Sequence, residues 1–128
     1  MGTARYDKYD GMVGGFRAAL AADWDSDDVG VPTAVTLDGN GRVVKVAAAD
    51  TAEAVLVIDQ PMAAGDVVDC MTAGEIVDCE GLAAGTVYFS KADATLESAA
   101  PAAGANKVKI GRTVEATRLV VRVQKVQG

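Results

Sequence analysis

Histidine is missing from all 128 residues, and with it the commonest general base and the commonest metal ligand. Cysteine occurs twice, at Cys70 and Cys79, with no second pair to complete a zinc site. Ser26, Ser90 and Ser98 have no base beside them to turn a hydroxyl into a nucleophile. Asp23-x-Asp25-x-Asp27 begins like a calcium loop, but Asp28 stands where glycine is needed and Ala34 where glutamate is needed. The glycines of Asp38-Gly39-Asn40-Gly41 join two strand-like runs rather than a strand and a helix, so they form no phosphate cradle. No stretch approaches the roughly 20 apolar residues of a membrane-spanning helix, and M-G-T-A-R-Y-D-K-Y-D has no apolar signal-peptide core. The expectation is a soluble, non-secreted protein that is not an enzyme, carries no metal and needs no cofactor.

Apolar residues make up 50% of the chain while aromatics make up only 5%, so the apolar weight falls on Val and Ala. Valine favours strands because its branched Cβ fits a pleated surface. The length suits one domain with a single core. The net charge of −6 is uneven. Residues 1–30 carry six acids and three bases, residues 31–104 eleven and three, and residues 105–128 one acid against six bases. A basic end on an acidic body raises nucleic-acid binding as one reading. The absence of stacking aromatics there and the overall negative charge favour the other reading, that these bases face acids in the same sheet or on another subunit.

Residues 1–30 hold Tyr6, Tyr9, Phe16 and Trp24 on a glycine-interrupted polar segment. Phe16–Trp24 has the composition of a marginal helical turn or two. Spaced aromatics of this kind suit an N-terminal arm that docks on its own domain or on a partner. From Val31 the text becomes strand-like. Residues 33–37 and 42–47 flank the D-G-N-G hairpin turn. Residues 53–59 are apolar on both faces and predict a central, doubly covered strand.

Residues 62–90 read as a β-meander punctuated by Gly65, Gly74, Gly81 and Gly85. A turn at Ala73-Gly74 would put Val68, Cys70, Val77 and Cys79 on one core face as unbridged thiols and valines. It would also set Asp69 against Asp78, a pair that needs a base from the C-terminal strands or, failing that, a cation. Strands follow at 87–90, at a short edge within 92–98, and at 107–111 and 118–126, with a surface loop at 99–106. In the last strand Leu119, Val121 and Val123 alternate with Arg118, Arg122 and Gln124. About eight short strands at this spacing predict an all-β fold, a small antiparallel β-barrel or sandwich over 31–128 with an extended arm over 1–30.

Three phrases carry a family resemblance. R-Y-D-K-Y-D-G-M-V-G-G-F-R-A-A-L-A-A-D, then A-A-G-D-V-V-D-C-M-T-A-G-E-I-V-D with G-L-A-A-G-T-V-Y-F, and finally I-G-R-T-V-E-A-T-R-L-V-V-R-V resemble the head-decoration (capsid cement) proteins of tailed bacteriophages. The resemblance implies a non-enzymatic virion protein, made in the host cytoplasm and added to the outer surface of the assembled capsid. It implies binding to the major capsid protein and to itself as a homotrimer, with no nucleic acid or membrane partner. On that reading Tyr6, Tyr9, Phe16, Arg17 and Trp24 of the arm are the main capsid or subunit contacts. A phage tail or fibre module, or a host-surface binding domain, is the alternative on the same kind of scaffold.

Overall fold

A computed structural model of the chain describes residues 3–6, 15–46, 51–90, 96–97 and 108–125. The strands are β1 (Thr3–Tyr6), β2 (Gly15–Ala19), β3 (Thr33–Leu37), β4 (Val43–Lys45), β5 (Ala54–Leu56), β6 (Val67–Met71), β7 (Ala73–Val77), β8 (Val87–Ser90), β9 (Leu96–Glu97), β10 (Val108–Glu115) and β11 (Arg118–Lys125). Among the described residues the one helical element is a 3₁₀ turn, Ser26–Asp28. The strands form two antiparallel sheets, ordered β2-β6-β5-β3-β4 and β1-β7-β11-β10-β8-β9. The all-β expectation is borne out.

The five-stranded sheet closes on itself. Leu20 continues β2 and bridges Val43 of β4 in parallel, and the Ala21 N–H donates to the Val43 carbonyl at 3.0 Å. Five strands joined by antiparallel ladders return with the first and last running the same way, so a parallel contact is what closure requires. Alternate residues then fill the interior: Phe16, Ala18 and Leu20, then Val35, Val43, Ala54, Leu56, Val68 and Cys70. The loops leaving β2 and β5 and entering β6 meet at one end, where Trp24 pairs with Met62 and Val29 with Ile58. Trp24, Ile58 and Met62 complete the interior cluster there.

A second core lies between the barrel wall and the outer sheet. Ala34, Val46, Ala52, Val55 and Met71 face Ile76, Val108, Ile110, Leu119 and Val121, with Cys79 among them. β5 is therefore covered twice, Val55 by the outer sheet and Ala54 with Leu56 by the barrel interior, as its continuous apolar text predicts. The D-G-N-G hairpin between β3 and β4 also stands as predicted. Its Asp38 carboxylate accepts from the N–H groups of Arg42 and Asn40, and these bonds hold its pKa below the ordinary carboxylate value. β8 falls on the predicted residues and β9 is the predicted short edge. The predicted loop at 99–106 lies outside the described residues.

The meander does not form. β6 and β7 are separated by Thr72 alone and belong to different sheets. As a switch between sheets, β6 sits between β2 and β5, and β7 between β1 and β11, so both strands satisfy their backbone on two sides. Cys70 and Cys79 consequently lie in separate cores, both as free thiols. Asp69 faces Arg17 rather than Asp78. Asp78 takes a left-handed conformation (φ 55°) in the bend after β7, a conformation that aspartate tolerates. Nor is Phe16–Trp24 helical. Phe16, Ala18 and Leu20 alternate into the barrel, and burying three side chains on a strand outweighs a marginal helix propensity. Residues 15–30 are thus built into the body, not into an arm.

Candidate functional site

Of the five predicted contact residues, the structure places Phe16 and Trp24 in the barrel interior and Arg17 on its exposed surface. Tyr6 ends β1, opposite Gly74 on the edge of the outer sheet. Tyr9 lies outside the described residues. Phe16 is partly buried in the barrel interior. Trp24 is only 3% exposed and seals the barrel end. Its ring lies 4.8 Å from Lys45 Nζ, which in turn reaches Asp28 Oδ1 at 2.7 Å. This stack covers the indole with a cation that is itself neutralised. Trp24 is therefore a core residue of this chain. Arg17 projects an exposed side chain that pairs across the β2–β6 ladder with Asp69 (Nε–Oδ1 2.7 Å). At that exposure the pair contributes about 0–1 kcal/mol.

The acidic loop spends its carboxylates on backbone. Asp23 Oδ1 accepts from Ala64 N at 2.8 Å, and Asp25 Oδ1 caps the 3₁₀ turn by accepting from Asp27 N at 2.9 Å. Among the described residues no group of three or more His, Cys, Asp or Glu is placed to hold a metal ion. A cleft of about 330 Å³ opens between the 3₁₀ loop and the outer sheet, with Asp27, Asp28 and Lys45 on one side and Glu80, Leu82 and Leu96 on the other. Its one hydroxyl, on Thr33, donates to Val31 O. Burial pushes the Cys70 thiol up to about 12, with the Asp69 charge adding to it, and burial also raises Cys79, so both remain protonated and unreactive at neutral pH.

An exposed valine ringed by charged side chains lies on the solvent face of the outer sheet. β11 sends Leu119 and Val121 inward, which turns Arg118, Val120 and Arg122 outward. The ladders set Arg112 of β10 on one side of Val120 and Glu75 of β7 on the other. Val120 is 40% exposed at the centre of this ring. Arg118 Nε lies 3.9 Å from Glu75 Oε2. Gly111 makes the approach possible: a Cβ there would run into the Val120 carbonyl oxygen. The basic outer face was legible in the alternation of residues 118–124. Val120, an apolar residue in the outward register, was the overlooked signal in the same alternation.

No protein-family model matches the sequence, and no curated protein does. Among solved structures, a chain from Mycobacterium phage Patience superposes with a TM-score of 0.77 at 20% identity, covering 98% of this chain and 99% of that one. What that likeness establishes is a common fold: this all-β chain is built, end to end, as that phage chain is.

Proposed function

We propose that this chain is a structural virion protein of a tailed phage, one that binds the outside of the assembled capsid and clamps adjoining major capsid subunits. The observation that carries the reading is the end-to-end likeness in fold to a chain from a mycobacteriophage. The three phrases that resemble head-decoration proteins, spread from Arg5 to Val123, point the same way. The physical build suits the task. A clamp needs a body that does not deform under load, and a closed barrel braced by a second sheet supplies one. Its partners are the major capsid protein and further copies of itself as a homotrimer. It acts without catalysis or cofactor, and without nucleic-acid or membrane partners.

The arm in this reading is shorter than the first 30 residues. β2 is a barrel stave, so the stretch that can be removed without opening the barrel ends before Gly15, and it carries β1, the edge strand on β7. Its contacts are then Tyr6 and Tyr9, with Arg17 as an exposed neighbour on the body; Phe16 and Trp24 serve the barrel. Removing residues 2–14 is expected to abolish co-sedimentation with empty capsids while the far-ultraviolet β signal persists. Undiminished co-sedimentation would overturn the arm's role. Labelled protein found on tails instead of heads would replace the decoration reading with the tail-module one.

A further inference from the structure

The charge of this molecule is sorted by architecture. Around the exposed Val120 the outer sheet presents Arg112, Arg118 and Arg122, with Glu75 opposite Val120 and Glu115 opposite Arg118. Among the described residues no ion pair reaches Arg112 or Arg122. The plugged end of the barrel is the reverse. Its loops hold Asp23, Asp25, Asp27, Asp59 and Asp66, all exposed, and the Lys45 beside them is already paired with Asp28. These acids come together because Trp24 bridges Met62 and Val29 bridges Ile58, which zips residues 23–30 to residues 58–66. Beside Asp66 stands Val67, 61% exposed. One end therefore offers a valine among carboxylates, and the sheet face offers a valine among guanidiniums.

We infer that these two surfaces are the halves of one interface: the Val120 face of one copy docks on the Val67 end of a second copy. The occupant follows from charge complementarity. The face needs an acidic protein surface with an apolar spot, and this chain carries one of matching character. An apolar centre with an arginine rim is the usual anatomy of a protein interface, and arginine tolerates desolvation there better than lysine. Nucleic acid fits less well, because the −6 body would repel a phosphate backbone and the described part of the face has no exposed aromatic for stacking. Joining unlike patches makes the contact heterologous, so successive copies build a ring wherever the rotation closes. This deepens the self-association in the proposed function and does not depend on the capsid.

The test is a charge swap in the full chain. One variant carries Arg112→Glu with Arg122→Glu, and the other Asp27→Lys with Asp59→Lys; all four positions are exposed and make no side-chain ion pair among the described residues. Sedimentation velocity across a concentration series, at about 50 mM and about 500 mM salt, reads the association. The wild type is expected to self-associate, less so at high salt. Each variant alone should associate about tenfold or more weakly, and an equimolar mixture of the two should regain association through the reversed pair. A wild type that stays monomeric, variants that assemble as the wild type does, or a mixture that fails to recover would each overturn the interface. Binding of a short DNA duplex by a monomeric wild type, lost on reversing Arg112 and Arg122, would overturn it in favour of nucleic acid. Capsid co-sedimentation of the arm deletion, which retains Arg112, Arg118, Arg122 and the acids of the barrel end, keeps failure here distinct from failure of the decoration reading.

Discussion

The barrel and the outer sheet both bury aliphatic side chains, but they stand in different relations to solvent. The barrel is closed through Leu20 and Val43, so it has no free edge, and β5 is buried on both faces. The outer sheet is open, with β1 and β9 at its edges, and one of its faces is wet. Closure removes unpaired backbone groups and concentrates stability. An open sheet leaves a flat face and two edges available to a partner. The closed half is thus the more fully paired and the open half the more exposed, and the charge differs between the barrel end and the sheet face as well.

The sharpest way to break this comparison is to unplug the barrel. Trp24→Ala should cost about 3–5 kcal/mol in urea unfolding, a large share of the stability of a domain this size. A loss under about 1 kcal/mol would mean that the indole is dispensable to the body and free to serve as a contact after all. A lesion confined to the sheet comes next. Gly111→Ala drives a methyl group into the Val120 carbonyl and should cost about 2–3 kcal/mol. Hydrogen exchange should quicken along Val108–Lys125 while Thr33–Leu37 and Ala54–Leu56 stay protected; equal loss in both halves would erase the distinction.

The smallest effect tests whether the barrel interior stays dry. The Cys70 thiol is raised from its ordinary value near 9 to about 12. Its contribution to stability is complete below the unfolded value and is lost as pH climbs toward the folded one, because only the unfolded chain releases that proton in between. Between about pH 9 and pH 10 stability should fall by at most about 1.4 kcal/mol from this group. Cys70→Val should flatten that slope, leaving the part due to Cys79, whose thiol is raised in the second core. An unchanged slope would show that the barrel admits water.

What could be read from the chain alone was local. Gly and Asn at 39–41 satisfy the backbone demands of a tight turn whatever lies nearby, so the β3–β4 hairpin was visible. The twofold alternation of β11 and the doubly apolar β5 report faces, and faces follow from strand geometry within a few residues. By the same means the sequence by itself determined an all-β fold, a basic C-terminal face and the lack of a histidine-based site. Only the tertiary structure decided which strand lies beside which. A period of two is the same for a hairpin and for a switch between sheets, so Thr72 looked like the approach to a turn when it is the crossing point from barrel to outer sheet. Trp24 looked like an anchor because nothing near it in sequence covers it. Its cover comes from Met62 and Lys45, brought there when β2 closes on β4, and that closure is a pairing across more than 20 residues that no local pattern encodes.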